Sequence, residues 1–226
     1  MSRPVPAVLF DMDGVLVDSE PVWFEVERDV VERLGGTWGR EHQARCIGGT
    51  VDATCRYIVD LTGSSRTPED VQQEVLASMA ARFTDALTVH VGALELVNAV
   101  RSRGARTALV TSSYRVLVDP ALGWLGADRF DAVITGDEVS RGKPHPDPYL
   151  TACRALGVRP EFAIAIEDAP SGIQAAEAAG CAVVAVPSVS PIEPGPRRHV
   201  VATIGEIEPD WLLGLLGGDG LQHVEL

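Results

Sequence analysis

Short apolar runs recur along the chain, and each ends beside polar residues. Uninterrupted apolar residues are typical of strands buried on both faces of a parallel sheet. The runs cover residues 5–10, 105–110, 131–135, 162–166, 182–186 and, more weakly, 199–203. We therefore predict that these segments are the strands of one sheet.

Helical patterns lie between the runs. Residues 93–103, 147–156 and 171–179 keep helical spacing, and a glycine follows each, as is common at helix C-termini. The alternation of strand and helix predicts an α/β fold, a doubly wound parallel sheet with a Rossmann-like core. In such sheets ligands bind at the carboxyl ends of the strands, where the polar residues stand here.

One connection is much longer than an ordinary crossover between strands. Its apolar residues recur at helical spacing, and Thr50 and Thr67 stand where helix N-caps are expected. We therefore predict a Rossmann-like catalytic core of residues 1–18 and 92–226, interrupted by an all-helical cap domain of residues 19–91.

Composition and charge narrow the class of partner. The 226 residues are 46% hydrophobic and 23% charged, as in ordinary soluble proteins, and no apolar run approaches the length of a membrane span. The net charge of −13 argues against nucleic acid or an anionic membrane as partner. We read no signal peptide before the first strand and interpret the four dispersed cysteines as reduced thiols, so we expect a cytoplasmic protein.

Two aspartates come directly after the first run. Asp11 and Asp13 are two positions apart in an extended segment, so both carboxylates can face one site. One carboxylate can then attack a substrate while the other transfers a proton. Gly14 permits the sharp turn that follows, although an Asp-x-Asp-Gly sequence alone is often only a turn.

Glu167 and Asp168 directly follow the fourth run and would lie with the two aspartates at one edge of the sheet. Such a cluster of carboxylates is costly unless a cation neutralises it. Carboxylate and water ligands suit Mg²⁺, which also binds substrate phosphate. The pattern therefore predicts a magnesium site, whereas acids at the start of a helix would explain Glu167 alone.

Two further elements suit an anion. Thr111 and Ser112 directly follow the second run, where hydroxyls and free amides can hold phosphate oxygens, although a plain helix N-cap would explain them as well. Lys143 is the only lysine among 19 basic residues and lies in a proline-rich, stiff loop. A compact ammonium in a chain that otherwise uses arginine indicates a narrow binding position.

These elements match a known family in order and spacing. Residues 10–21, FDMDGVLVDSEP, resemble the first motif of the haloacid dehalogenase superfamily, and most closely its branch of β-phosphoglucomutase-like proteins and sugar phosphatases with a helical cap. The second, third and fourth motifs of the superfamily are resembled by Thr111, by Lys143 and by the pair Glu167-Asp168, respectively. The resemblance implies a magnesium-dependent phosphatase that hydrolyses a small phosphate monoester, such as a sugar phosphate, through an aspartyl-phosphate.

The resemblance also implies the role of each residue. Asp11 would be the nucleophile, and Asp13 the general acid and then the general base. Mg²⁺ would be held by Asp11, the backbone carbonyl of Asp13, and Asp168, with Glu167 as a further or indirect ligand. The phosphoryl group would be held by Thr111 and Lys143, with Ser112 beside them. The expected partner is a small phosphorylated metabolite, with no nucleic acid, membrane or obligate protein partner.

Relatives with other activities define the alternatives. A phosphomutase of the β-phosphoglucomutase type places a histidine in the first cap helix and an arginine after the cap's glycine motif, where this chain has Trp23 and Asp52. Dehalogenases of the superfamily lack the second aspartate, and phosphonate hydrolysis needs a cap lysine that residues 19–91 do not contain. A non-catalytic phosphometabolite-binding protein is the alternative of another class, although such relatives usually lose a motif.

By the same resemblance, the cap would determine which substrate is selected. We expect Trp23, residues 45–49 and Met79 to lie near the ligand, but the sequence does not identify the substrate.

Overall fold

A computed structural model describes residues 5–47, 49–188 and 191–216. Its strands are β1 (Ala7–Phe10), β2 (Val17–Asp18), β3 (Thr88–Val89), β4 (Arg106–Val110), β5 (Ala132–Ile134), β6 (Ala163–Glu167), β7 (Ala182–Ala185) and β8 (Arg198–Val200). Its helices are α1 (Glu20–Arg33), α2 (Arg40–Cys46), α3 (Val51–Thr62), α4 (Pro68–Asp85), α5 (Ala93–Ser102), α6 (Arg115–Leu125), α7 (Asp147–Leu156), α8 (Pro170–Ala179) and α9 (Pro209–Gly214).

Six of these strands form one parallel sheet, in the order β5–β4–β1–β6–β7–β8. Side chains alternate across β1, so that Val8 and Phe10 pack with α5 and α6, whereas Ala7 and Leu9 pack with α7 and α8. Both faces of the sheet are therefore buried, which explains the uninterrupted apolar runs. The predicted α/β, doubly wound fold is confirmed, and each predicted run overlaps a strand whose ends differ from those of the run by only a few residues.

The strand order places a crevice beside β1. The chain runs from β1 outward through β4 to β5, then returns to place β6 on the other side of β1. The loops that follow β4 and β6 therefore diverge on either side of β1, and a binding site is expected at this switch point.

The long connection contains helices α1 to α4. The two strands at its ends, β2 and β3, pair antiparallel, so the chain leaves the sheet and returns to it at one place. The hydroxyls of Thr50 and Thr67 accept hydrogen bonds from the N–H groups of Ala53 and Asp70, so both predicted N-caps are confirmed. Helix α2 was not predicted because it buries no residue and therefore carries no apolar stripe. The exact bounds of a core and a cap domain stay a prediction.

Candidate active site

Lys143 joins the ends of three neighbouring strands. Its Nζ atom donates to Asp11 Oδ1 at 2.6 Å, to Glu167 Oε1 at 2.6 Å and to the backbone oxygen of Val110 at 2.9 Å. These acceptors follow or end β1, β6 and β4, and they match the three donors of an ammonium group. The Lys143 side chain is only 4% exposed. A wide arginine fork would not match three acceptors around one point, which accounts for lysine rather than arginine at position 143.

The charges of this group depend on one another. Burial alone would lower the pKa of Lys143, but Asp11 and Glu167 hold it above its ordinary value, so the ammonium stays charged. Burial raises the pKa of Asp11, Lys143 opposes that rise, and the neighbouring carboxylates add to it. The site therefore holds more negative charge than one ammonium can balance.

Glu167 is the acceptor around which this group is arranged. Besides Lys143, its carboxylate accepts hydrogen bonds from the hydroxyl of Tyr149 and from the backbone N–H of Asp168 at 3.2 Å. Burial and the charge of Glu167 raise the pKa of Tyr149, so its phenol stays a donor. A Cβ atom on Gly172 would lie 1.9 Å from Glu167 Oε1, so the glycine leaves the space that the carboxylate fills.

Three carboxylates meet at a position that could hold a metal ion. Asp11, Glu167 and Asp168 each offer an oxygen, and these atoms lie within 4.8 Å of one another. Burial, followed by the charge of Glu167, raises the pKa of Asp168 to about 7. The oxygen donors and the excess of negative charge fit a hard divalent cation. The space is tight, because a Cβ atom on Gly14 would lie 2.0 Å from Asp168 Oδ2.

Asp13 is held by hydroxyl groups. Its carboxylate accepts hydrogen bonds from Ser19 Oγ at 2.6 Å, from Ser113 Oγ at 2.7 Å and from Thr111 Oγ1 at 3.3 Å. Thr111 Oγ1 in turn accepts the N–H of Ser113 at 2.9 Å. This network orients Asp13 beside the Asp11 group. Ser112 is exposed on the same loop and borders the cavity.

The structure brings every predicted site residue to one cavity of about 550 Å³. We call the strand-end side of this cavity the core wall, formed by Asp11, Asp13, Thr111, Ser112, Lys143, Glu167 and Asp168. We call the side formed by α1 to α3 and their loops the cap wall, with Glu20, Trp23, Glu27, Gln43, Cys46, Ile47, Gly49 and Thr54 among its residues. The roles of the core-wall residues stay predictions.

The expectations for the cap were met in part. The cavity is bordered by Trp23, Cys46, Ile47 and Gly49 but not by Arg45, which is exposed, and Gly48 lies outside the described residues. Met79 packs instead in the buried core, because the apolar face of α4 turns toward α1 and α3.

Sequence reasoning missed four residues that shape the site: Ser19, Tyr149, Gly172 and Glu27. Tyr149 lies among the apolar positions of α7 and reads as an ordinary core residue. Ser19 immediately precedes α1, and only the fold shows that its hydroxyl turns back to Asp13.

Residues 8–186 match the model of the haloacid dehalogenase-like hydrolase family. The chain belongs to this family. Its relatives include a phosphorylated carbohydrates phosphatase of Thermotoga maritima, 33% identical over 77% of this chain and 81% of the relative. A validoxylamine A 7'-phosphate phosphatase of Streptomyces hygroscopicus subsp. limoneus is 37% identical over 76% of this chain and 81% of the relative.

Hexitol phosphatase B of Escherichia coli (strain K12) is 30% identical over 89% of this chain and 91% of the relative. These relatives confirm the resemblance to the sugar-phosphatase branch of the family. The fold is also shared with CbbY from Rhodobacter sphaeroides, whose structure in complex with phosphate aligns with a TM-score of 0.80 and 24% identity over 89% of this chain and 96% of that one.

Within the three described stretches, no helix is both long enough and apolar enough to cross a membrane. A cytoplasmic location stays a prediction.

Proposed function

We propose that this haloacid dehalogenase-like hydrolase is a magnesium-dependent phosphatase that hydrolyses a small phosphate monoester, such as a sugar phosphate, through an aspartyl-phosphate on Asp11. The observation that carries the proposal is the contact of the buried Asp11 carboxylate with Lys143, beside Glu167 and Asp168 and at the edge of a cavity. The relatives named as phosphatases of phosphorylated carbohydrates and hexitols support the reaction class.

Asp11, Asp168 and the backbone carbonyl of Asp13 would hold Mg²⁺, with Glu167 as a further or indirect ligand. When bound, the ion supplies positive charge that lets an anionic phosphate approach a carboxylate. The ammonium group of Lys143, which contacts Glu167, supplies a second positive charge near the phosphate. Thr111 and Ser112 would orient the phosphate oxygens.

The chain's own residues carry the steps. A carboxylate oxygen of Asp11 attacks phosphorus, the ester P–O bond breaks, and Asp13 gives its proton to the leaving oxygen. Asp13 then takes a proton from a water molecule, whose oxygen attacks the aspartyl-phosphate and frees Asp11 and inorganic phosphate. The three hydroxyls around Asp13 keep its carboxylate in place for both proton transfers.

The cap wall favours hydrolysis over a mutase reaction. A mutase must hold a sugar with two phosphates, so its cap needs a cation for the second one. Among the described residues that border the cavity, Lys143 is the only cationic side chain, and it lies in the core wall. Asp52 does not border the cavity and pairs with Arg56 on the surface of α3.

The test is phosphate release by the purified protein from a panel of phosphometabolites and from phenyl phosphate, with Mg²⁺ and with EDTA. We expect release that requires Mg²⁺, and we expect Asp11→Asn to lower it by at least about a thousandfold, as the loss of a nucleophile does. Asp52→Asn, a change to a surface aspartate of the cap, is the matched control and should leave the rate nearly unchanged.

Full activity of Asp11→Asn would refute the nucleophile, and full activity in EDTA would refute the metal. Isomerised sugar phosphate with little free phosphate would identify a mutase. Binding without turnover of any compound would identify a non-catalytic binding protein.

A further inference from the structure

Glu27 is a buried acid that the proposed reaction does not use. It lies on α1, is 4% exposed and borders the cavity. Its Oε2 atom is shielded from solvent and has no hydrogen-bond partner among the described residues. Leaving a buried polar atom unpaired costs stability, about 1–3 kcal/mol in typical proteins. A group of this kind beside a cavity points to a ligand that supplies the missing partner.

We propose that Glu27 is a specificity-determining residue that binds a hydroxyl group at the end of the substrate remote from the phosphate. This inference rests on the proposed phosphatase function. It assigns the substrate class as the monophosphate of a polyhydroxylated chain or ring, with an uncharged end that reaches the cap wall.

The position of Glu27 on α1 determines how long a substrate must be to contact it. Glu20, Trp23 and Glu27 follow helical spacing, and all three border the cavity. Glu20 lies at the end of α1 near the reacting groups, since the preceding residue, Ser19, donates a hydrogen bond to Asp13 at 2.6 Å. Glu27 lies seven residues further along, or roughly 10 Å along the helix axis. A two-carbon phosphate ester would not span this interval, whereas a longer sugar or polyol extends toward Glu27.

The charge of the cap wall defines the chemistry at that end. Glu20 and Glu27 are its acids, the remaining residues named in this wall are uncharged, and no described residue of this wall is cationic. A second phosphate or a carboxylate would find no cationic partner in this wall, so the wall disfavours it. Hydroxyl groups carry no charge and both donate and accept hydrogen bonds.

The neighbours of Glu27 keep its carboxyl group free. The amide of Gln43 donates to the side chain and to the backbone oxygen of Glu20, both at 3.2 Å, and so serves the other acid. Burial, with a contribution from Glu20, raises the pKa of Glu27 to about 8. A protonated carboxyl group offers one donor and an acceptor, which is the set that a hydroxyl group can match.

The experiment compares polyol phosphates with alkyl phosphates of the same length. The substrates are glycerol, ribitol and hexitol monophosphates, each paired with propyl, pentyl or hexyl phosphate, and the readout is the ratio of kcat/KM within each pair in the presence of Mg²⁺. We expect the wild-type ratio to favour the polyol for the longer pairs. Glu27→Leu should lower that ratio by roughly tenfold or more, because it removes a hydrogen-bond partner of the substrate.

Two variants separate recognition from folding. Glu27→Gln keeps donor and acceptor atoms in the same shape and should retain most of the ratio. Glu32→Leu changes an exposed glutamate of the same helix and should leave the ratio unchanged. Thermal melting of Glu27→Leu should occur at or above the wild-type temperature, because the variant removes an unpaired buried polar group; a structural role for Glu27 predicts a lower temperature.

Each outcome decides the proposal. Equal wild-type turnover of polyol and alkyl phosphates overturns it and leaves the phosphatase function standing, as does an unchanged ratio in Glu27→Leu. An absence of Mg²⁺-dependent phosphate release from every substrate refutes the phosphatase function and this inference with it.

Discussion

The two walls of the cavity are built on opposite plans. In the core wall these charged groups have hydrogen-bond partners within the protein: Lys143 contacts two carboxylates, and Asp13 accepts three hydroxyl donors. In the cap wall Glu20 shares one amide, and Oε2 of Glu27 has no partner among the described residues. Hydrogen bonds within the protein fix the positions of these groups before the substrate arrives, whereas an unpartnered oxygen leaves a hydrogen bond for the substrate to make. We infer that the core wall carries out the reaction and that the cap wall selects the substrate.

The largest effect is expected at Lys143, because the fixed geometry of the core wall depends on its three contacts. We expect Lys143→Arg to lower kcat/KM for phenyl phosphate by about a hundredfold or more. A wide, planar guanidinium cannot satisfy the acceptors on Asp11, Glu167 and Val110 in a position with so little free space. Steady-state kinetics with Mg²⁺ at saturation measure the effect.

Arg141→Lys is the matched control for that exchange. Arg141 lies two residues earlier in the same loop, is exposed, and pairs with Asp147 at 3.1 Å. The substitution should change kcat/KM by less than about twofold, since exposed ion pairs contribute little. If Lys143→Arg were as active as this control, the core wall would tolerate a different cation and would not be the fixed network described above.

A smaller effect is expected from Gly172→Ala, which disturbs the core wall without touching a charged group. The new Cβ atom would lie 1.9 Å from Glu167 Oε1, so the carboxylate must move away from Lys143 and Tyr149. We expect kcat/KM to fall by roughly tenfold and the free energy of unfolding by about 1–3 kcal/mol, as in other overpacked sites. Phosphate release and urea unfolding give the two values.

Gly123→Ala provides the control, because Gly123 lies inside α6 and a Cβ atom there meets nothing within 4 Å. Alanine is the better helix former, so this variant should gain up to about 1 kcal/mol and keep its activity. Equal behaviour of the two alanine variants would show that Glu167 does not need the space at Gly172.

The core wall could be predicted from the sequence because its residues stand at strand ends. A parallel sheet brings such positions together whatever the loops do, so Asp11, Thr111 and Glu167 were placed by the apolar runs alone. Lys143 does not follow a strand directly, and its prediction rested on its uniqueness and on the family motif. The cap wall could not be placed in this way, because the packing of α1 to α3 depends on contacts distant in sequence.

Glu27 illustrates what the helical pattern hides. In α1 it stands between Val26 and Val30, both buried, so the apolar stripe predicts a helix but gives no reason to single out the acid beside it. An acidic residue next to a buried stripe is usually a solvated edge. Only the structure shows that this edge of α1 borders the cavity together with residues of α2 and α3.

The last prediction concerns stability in the cap wall and its dependence on pH. Glu27 has an ordinary pKa of 4.5 when unfolded and of about 8 in the folded protein, so unfolding releases a proton between these values. Its contribution to stability is therefore complete below about pH 4.5 and is lost as the pH rises through 8. Each unit of pKa difference corresponds to about 1.4 kcal/mol.

We expect the free energy of unfolding of the wild type, relative to Glu27→Gln, to fall by at least about 1 kcal/mol between pH 5 and 8 and then to level off. Urea unfolding across this range measures the difference. The groups that act with Glu27 are Glu20 on its own helix, Cys46 of α2 and Cys55 of α3; burial raises the pKa of both thiols, so they carry no charge in this range.

Glu20→Gln separates the two acids, since it removes the neighbouring charge and leaves the burial of Glu27. The decline should persist in Glu20→Gln, because burial is the larger cause of the raised pKa. A difference between wild type and Glu27→Gln that stays constant from pH 5 to 8 would mean that Glu27 is ionised in the folded protein. The cap wall would then present a carboxylate to the substrate, and the contrast with the core wall would be one of charge alone.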